Sequence, residues 1–123
     1  MALFSAEDGI VLGYSNVEAA KQWWINTFDC KQRPAPTDWD DILPSDVFLE
    51  LPEERGTILL CDRADGERKG PSHPMLDCSC RLEEAKEYLL SRGVQSGPIQ
   101  DDGSTHYLEI RDPEGNVIEI LGR

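Results

Sequence analysis

The strongest constraint on the fold is a short sequence repeat whose two copies lie about half the chain apart. VEAAKQWW (residues 17–24) aligns without gaps on LEEAKEYL (residues 82–89), with Glu, Ala and Lys identical at three positions. In both copies the apolar residues recur every three or four positions, which is the spacing of one face of an α-helix. The repeat therefore predicts two amphipathic helices in equivalent places in two similar halves of the chain.

Strand-like segments surround both helices in the same order, one before each helix and three after it. The predicted strands are Ile10–Ser15, Cys30–Pro34, Val47–Leu51 and Thr57–Asp62 in the first half, and His73–Ser79, Val94–Gln100, His106–Arg111 and Val117–Leu121 in the second. This is an α+β pattern of two βαβββ modules. At 123 residues the chain fits one domain, with module one at about 8–63, a polar linker at about 64–72 and module two at about 73–123.

Local signals place the ends of the two helices. Ser15 and Glu18 have the spacing of a capping box, which predicts that the first helix begins just after Ser15. Gly93 follows Arg92 and predicts the end of the second helix, because glycine tolerates the left-handed backbone of a helix C-terminus. Trp24 belongs to the apolar stripe of the first helix and is predicted to pack in the core.

The chain is strongly acidic, and this disfavours some classes of partner. It has 24 Asp and Glu against 12 Lys and Arg, a formal net charge of −12, which repels phosphate backbones and anionic lipid surfaces. No apolar run approaches the roughly 18 residues of a spanning helix, and the first residues lack the basic start of a signal peptide. We therefore expect a cytoplasmic protein with neither nucleic-acid nor membrane partners.

The four cysteines are expected to be reduced in that compartment. Cys78 and Cys80 alternate along one predicted strand, where they suit either small core positions or a Cys-x-Cys metal site. No further ligands accompany them at the spacing a zinc site needs. The sequence leaves the role of this pair open.

Two motifs in the second half connect the chain to a known superfamily. Arg92-Gly93-Val94 follows the second helix, and Asp112-Pro113-Glu114-Gly115-Asn116-Val117-Ile118-Glu119-Ile120 contains the turn of the last predicted hairpin. Asp, Pro and Gly at these positions favour a type I turn between the final two strands. Together with the repeat and the chain length, the motifs resemble the vicinal-oxygen-chelate superfamily, which includes glyoxalases, bleomycin-resistance proteins and extradiol dioxygenases.

The resemblance implies that the two modules form a curved mixed sheet around a cavity, that the cavity holds a ligand or a divalent metal, and that two copies form a homodimer. Metalloenzymes of the superfamily take ligands from their first, fourth, fifth and eighth strands. Carried onto this sequence, the eighth-strand ligand is Glu119 and the fifth-strand ligand is His73, whereas the first-strand position falls on Gly9. The fourth strand has no Glu or His there, and Cys61 is an atypical replacement. His73 and Glu119 are therefore the metal candidates.

Strand parity indicates further residues of a ligand pocket. His73 and Met75 are predicted on the cavity face, because Leu76 and Cys78 should face the helices. His106 is the only other histidine and is a further pocket candidate.

Trp39 is a pocket candidate for a different reason. It lies in the acidic segment PTDWDDILP (residues 36–44), which is too rich in proline for a strand. An aromatic ring among aspartates suits a flat cationic ligand. The alternative is that the segment folds over the sheet and Trp39 plugs it.

These features favour a protein of bleomycin-resistance type that binds a small organic molecule in a dimer cavity, with no cofactor. One alternative is a lyase, isomerase or dioxygenase with a divalent metal held by His73 and Glu119, and another is a domain that only mediates protein association. Because this fold hosts many chemistries, the sequence predicts neither the ligand nor a catalytic residue. The predicted pocket residues are Trp39, His73, Met75, His106 and Glu119.

Overall fold

A computed structural model describes residues 3–38, 42–63 and 74–122. Module one contains β1 (Phe4–Tyr14), α1 (Val17–Phe28), β2 (Lys31–Arg33), β3 (Val47–Glu50) and β4 (Gly56–Asp62), and module two contains β5 (Met75–Cys78), α2 (Leu82–Ser91), β6 (Gln100–Asp101), β7 (His106–Arg111) and β8 (Val117–Gly122). A single 3-10 turn at Pro52–Glu54 joins β3 to β4. The predicted α+β order of a strand, a helix and three strands, repeated, is confirmed. The predicted linker at 64–72 lies outside the described residues.

All eight strands belong to one sheet, in the order β2-β3-β4-β1-β5-β8-β7-β6. Each module contributes one parallel pair, β1 with β4 and β5 with β8, and its outer strands run antiparallel. The modules meet where β1 runs antiparallel to β5, with Phe4 paired to Cys78 and Ser5 to Asp77. This seam is short, so contacts outside the sheet also hold the modules together.

Both helices pack against one side of the sheet and share one apolar core with it. The buried apolar residues of the two helices are Ala20, Trp24, Phe28, Leu82, Ala85 and Leu89. They confirm the stripes predicted from the repeat, except that Val17 is only partly buried. No helix in the described part of the chain is long and apolar enough to cross a membrane.

The first strand is longer and less regular than predicted. β1 begins at Phe4 rather than at Ile10, and its register on β4 shifts between Ala6 and Ile10. Gly9 lies within that irregularity with a left-handed φ of 71°, a conformation that costs glycine little. The additional strand residues before the bulge form the seam with module two.

The second half also departs from the predicted strands in two places. Residues 94–99 are not a strand, because Pro98 has no N–H to donate to a ladder, and β6 is only the pair Gln100–Asp101. Cys80 lies in the bend between β5 and α2. The prediction that it alternates with Cys78 along one strand is therefore wrong.

The residues just before α1 are bound by module two, and the predicted capping box of Ser15 and Glu18 is wrong. Asn16 is the N-cap, and its side chain accepts a hydrogen bond from Ala19 N at 3.0 Å. Ser15 N and Oγ donate to Glu114 Oε1 at 2.8 and 2.9 Å, and Asn16 N donates to Glu114 Oε2 at 2.9 Å. Partial burial disfavours the charged carboxylate, but these hydrogen bonds outweigh it and lower the pKa of Glu114.

The turn between β7 and β8 has the predicted form. Gly115 N donates to the carbonyl oxygen of Asp112 at 3.0 Å. The Asp112 side chain accepts further hydrogen bonds from Glu114 N at 3.0 Å, Asn116 N at 2.8 Å and Asn116 Nδ2 at 2.8 Å. One buried carboxylate therefore organises the whole turn.

The same carboxylate fastens module one to this turn. The Tyr14 hydroxyl donates to Asp112 Oδ2, and Trp24 Nε1 donates to the Tyr14 hydroxyl oxygen at 3.0 Å. Tyr14 and Trp24 are fully buried. Burial, reinforced by the bond to Asp112, raises the pKa of Tyr14 far above its usual range, so the hydroxyl remains a neutral donor. The predicted core packing of Trp24 is confirmed, with a polar bond that the helical periodicity did not indicate.

Candidate functional site

The side of the sheet away from the helices, called the far face here, carries most of the candidate residues. In module two the strands alternate between fully buried residues that face the helices and accessible residues on the far face. The accessible residues are Met75, Asp77, Tyr107, Glu109, Arg111, Val117, Glu119 and Leu121. This half of the far face is thus open, and it mixes acidic, apolar and aromatic side chains.

Two glutamates face each other at the centre of this open surface. Glu109 on β7 is directly opposite Glu119 on β8 in the antiparallel ladder, which puts their Cβ atoms about 4.5–5.5 Å apart. Glu109 Oε1 accepts a hydrogen bond from Gln100 Nε2 at 3.4 Å. Within residues 3–38, 42–63 and 74–122, neither glutamate forms an ion pair. Like charges in this arrangement destabilise the free protein, so the pair favours a positively charged or hydrogen-bond-donating ligand.

Apolar and polar neighbours surround the two carboxylates. Met75 is paired with Glu119 across β5 and β8, and its side chain is 43% exposed. The Tyr107 hydroxyl donates to Gln100 Oε1 at 3.3 Å, so the ring is held beside Glu109. Arg111 lies on the same face and donates to the carbonyl oxygen of Gly115 at 3.1 Å.

A groove of about 330 Å³ runs along the outer edge of this surface. It is lined by Gln95, Ser96, Gly97, Glu109, Ile110, Arg111 and Val117. Glu109 therefore belongs both to the lining of the groove and to the glutamate pair. A larger groove of about 430 Å³ lies at the opposite end of the sheet, among residues of β2, β3 and the β3–β4 turn. Of the predicted pocket residues that the structure describes, none lines it.

The far face of module one is covered. Phe48, Leu59 and Cys61 form a second apolar cluster, each no more than 8% exposed. Ala35 and Ile42 pack against this cluster from the segment between β2 and β3. These two residues of the segment therefore lie over the sheet. Both alternatives for Trp39 stay predictions, because Trp39 lies outside the described residues.

The structure brings some of the predicted pocket residues together and separates others. Met75 and Glu119 are neighbours on the far face. His106 has the parity of the helix-facing residues of β7, and its Nε2 lies 3.2 Å from Asp101 Oδ2 at the exposed edge of the sheet. It therefore does not join Met75 and Glu119. His73, like Trp39, lies outside the described residues.

Glu109 is the site residue that the sequence analysis did not select. Its parity with Tyr107 and Arg111, opposite to that of Leu108 and Ile110, was the available signal. Its importance comes from the register that sets it against Glu119, and strand register is not visible in a single sequence.

The donor set of a superfamily metal site is incomplete in the part of the chain that the structure describes. A side chain at Gly9 would meet Thr57 Oγ1 at 3.2 Å and adopt an unfavourable left-handed φ. Cys61 is 3% exposed inside an apolar cluster. No group of three or more His, Cys, Asp or Glu able to hold a metal occurs among those residues. Apart from Glu119, the described residues at the expected ligand positions do not fit a divalent ion.

Comparisons with known proteins identify the fold. No family model and no curated protein sequence matches the chain. A member of the glyoxalase/bleomycin resistance protein/dioxygenase superfamily from Sphaerobacter thermophilus is similar in structure, with a TM-score of 0.71, 19% identity, and coverage of 96% of this chain and 98% of that one. A putative glyoxalase family protein from Bacillus anthracis has a TM-score of 0.69 and 16% identity, covering 97% and 95%. An integron cassette protein from the Halifax Harbour sewage outfall has a TM-score of 0.68 and 16% identity, covering 94% and 97%. Identities this low support a common fold, and they carry no argument about a shared activity.

Proposed function

We propose that this chain, which has the fold of the glyoxalase/bleomycin-resistance/dioxygenase proteins, binds a small cationic organic molecule on the far face of module two without a metal cofactor. The observation that carries this proposal is the pair Glu109 and Glu119, which lie opposite each other on an accessible surface. We infer a binding role rather than a catalytic one, because the described residues supply carboxylates and apolar surface and no activated nucleophile.

Charge and surface chemistry support a cation as the ligand. A positive group between two carboxylates removes their mutual repulsion and gains an attraction to each. The formal net charge of −12 also attracts cations towards the protein over a longer range. Met75 and Tyr107 offer apolar and aromatic surface beside the carboxylates, which suits the organic part of such a ligand.

We further infer that two copies of the chain enclose the ligand. Small-molecule sites usually bury about 70–90% of the ligand surface, and one accessible sheet face covers a flat molecule on one side only. A second copy of the chain would supply the other side. The superfamily resemblance implies a homodimer, so a second copy of the chain is the expected partner.

Binding is tested by titrating the protein with ethidium, a flat aromatic cation, and following its fluorescence. Glu109→Gln and Glu119→Gln are each expected to weaken binding at least about tenfold, because each removes a charge-assisted contact. Glu87→Gln is the matched control, since it removes the same charge from an exposed position on α2, on the other side of the sheet. It is expected to change affinity less than about twofold.

Two outcomes would contradict the binding proposal. One is the absence of saturable binding by ethidium and related flat cations while an anionic dye such as fluorescein binds. The other is an equal loss of affinity in Glu87→Gln and Glu119→Gln, which would show that the dye responds to net charge and not to the glutamate pair.

A metal-dependent lyase, isomerase or dioxygenase is the second candidate, and one observation favours it. Glu119 occupies the eighth strand on the far face, where the superfamily resemblance implies a metal ligand, and His73 is the other predicted ligand. Elemental analysis after titration with Mn²⁺, Fe²⁺, Ni²⁺ and Zn²⁺ distinguishes the candidates. Near-stoichiometric metal that is lost in both His73→Ala and Glu119→Gln would replace the metal-free proposal.

A further inference from the structure

The bend between β5 and α2 holds two thiols in contact. Cys78 Sγ and Cys80 Sγ are 2.7 Å apart, and Cys80 N donates a hydrogen bond to Cys78 Sγ at 3.3 Å. Both cysteines are free. The sequence left their role open between core packing and a metal site, and neither use requires the two sulfur atoms to be this close.

The distance between the two sulfur atoms is nearer to that of a disulfide than to that of a metal site. Two thiolates on a tetrahedral metal with bonds of about 2.3 Å lie roughly 3.8 Å apart, which is much farther than the 2.7 Å found here. The sulfur atoms of a disulfide are about 2.05 Å apart. A small approach of the two side chains therefore completes a bond, whereas a metal would have to push them apart.

The fold fixes the bend that presents the two thiols. Ser79, between them, donates from its N and Oγ to the carbonyl oxygen of Leu3 at 2.8 and 3.2 Å. Cys78 is also paired with Phe4 at the seam between the modules, and α2 begins at Leu82. Both sides of the bend are thus anchored, which keeps the thiols together and raises their effective concentration towards each other.

The two thiols differ in accessibility in the way that a stepwise exchange requires. Cys80 is partly exposed, whereas Cys78 is 8% exposed. Burial, followed by the hydrogen bond with Cys80, raises the pKa of Cys78 to about 12. Cys80 is therefore the thiol that an incoming reagent reaches first, and the more buried Cys78 reacts second. The other two cysteines, Cys30 and Cys61, are buried at 4% and 3% exposure.

We propose that Cys78 and Cys80 are a modification site, which forms a reversible disulfide by exchange with a low-molecular-weight disulfide of the glutathione type. The Cys80 thiolate attacks one sulfur of the reagent, a mixed disulfide forms, and one reduced thiol leaves. The Cys78 thiol then gives up its proton as its sulfur attacks Cys80 Sγ, and the departing sulfur is protonated and leaves as the second reduced thiol. The protein dithiol loses two electrons and two protons, and the reagent disulfide is reduced to two thiols, so the exchange balances.

The product would be a covalent bridge next to the short seam between the two modules. The bond would close the bend between β5 and α2 beside the seam of β1 and β5. Because Cys78 belongs to the core that the helices share with the sheet and Cys80 packs against that core, oxidation is expected to leave ligand binding by Glu109 and Glu119 unchanged. The proposal therefore stands or fails independently of the proposed function.

The full chain is equilibrated with mixtures of reduced and oxidised glutathione, blocked with N-ethylmaleimide, digested with trypsin and analysed by mass spectrometry. Cys78 and Cys80 share the tryptic peptide 70–81, whereas Cys30 and Cys61 lie alone in peptides 22–31 and 56–63. As oxidised glutathione increases, peptide 70–81 is expected to lose two hydrogens, about 2 Da, without gaining maleimide. The other two peptides are expected to remain in the thiol form and serve as internal controls.

Two results would overturn the proposal. In one, peptide 70–81 carries two maleimides in every mixture, or retains glutathione on Cys80 without closing the internal bond. In the other, Cys78 of Cys80→Ser takes up glutathione in the mixtures that close the bond in the unmodified protein, which would show that Cys80 is not the thiol that exchanges first. Cys80 is partly exposed, so this variant is expected to fold, and circular dichroism checks that it does. In the folded variant Cys78 is expected to stay reduced, because it has lost its exchange partner.

Discussion

The two modules share a plan of one helix and four strands, but they use the far face of the sheet differently. In module one that face is apolar, and Ala35 and Ile42 pack over Phe48, Leu59 and Cys61. In module two the same face is accessible and carries two opposed carboxylates. The same arrangement of one helix and four strands can therefore extend the apolar core in one module and leave an accessible surface for binding in the other.

The turns between the third and fourth strands of the two modules also differ. In module two the Asp112 carboxylate accepts four hydrogen bonds, one of them from Tyr14 of module one. In module one the turn follows the buried apolar residue Leu51, and both Glu53 and Glu54 adopt left-handed φ values, 61° and 56°. Module two therefore supplies the ordered turn that holds the halves together.

The largest expected effect is the loss of that turn. Asp112→Ala should lower the free energy of unfolding by about 4 kcal/mol, because it leaves the buried Tyr14 hydroxyl and several turn donors without an acceptor. Urea unfolding followed by tryptophan fluorescence measures the change. Asp112→Asn keeps one of the two oxygen acceptors and should lose about half as much. A loss below about 1 kcal/mol in Asp112→Ala would show that the turn does not fasten the modules.

The second prediction compares the covered and the open far face with one kind of substitution. Leu59 on β4 and Leu121 on β8 occupy equivalent strands, but Leu59 is 8% exposed and Leu121 is only partly buried. Leu59→Ala should destabilise the protein by about 3 kcal/mol and Leu121→Ala by less than about 1 kcal/mol. Thermal unfolding at two protein concentrations is the measurement. Equal losses that depend on concentration would show that a second copy covers module two.

The third prediction tests the hydrogen bonds that Glu114 of module two accepts at the start of α1. The pKa of Glu114 is lowered in the folded state, so its stabilisation is present above the unfolded pKa of about 4.3 and is lost as the pH falls through the folded value. Glu114→Gln should cost about 1 kcal/mol at pH 7. The difference from the unmodified protein should vanish once the pH has fallen below the folded pKa. A difference that persists at low pH would mean that charge is not the cause.

The smallest expected effect has the opposite sign. Glu119→Gln should stabilise the free protein by about 0.5 kcal/mol, because it removes the repulsion with Glu109 directly opposite. Glu87→Gln on α2 corrects for the change in net charge, and denaturant unfolding at fixed ionic strength compares the two. If Glu119→Gln destabilises the protein, the carboxylate has a structural partner and the argument for a cationic ligand loses its basis.

The sequence predicted the fold because its signals are local and repeated. The two helical stripes and the Asp112–Gly115 turn are set by residues close together in the chain, and the structure confirms them. The capping box failed because the group that engages Ser15 is Glu114, 99 positions away. A single sequence has no signal for a partner at that separation.

The candidate site was predictable in part for the same reason. The parity of β8 placed Glu119 on the far face, but its neighbours depend on strand register, which brings Met75 from β5 and Glu109 from β7. His106 shows the limit of residue type as a guide. Its imidazole lies beside Asp101 at the sheet edge, because one position along a strand reverses the face.

The hydrogen bond between Tyr14 and Asp112 spans 98 positions, and this separation has a consequence for how the chain acquires its structure. During synthesis the N-terminal half emerges first, so α1 and Tyr14 are synthesised well before Glu114 and Asp112, which bind the helix start and the Tyr14 hydroxyl. Closing such distant contacts is slow in comparison with forming helices and hairpins. Module one is therefore expected to remain loosely packed until the last hairpin docks on it. This docking step is expected to limit the rate of folding.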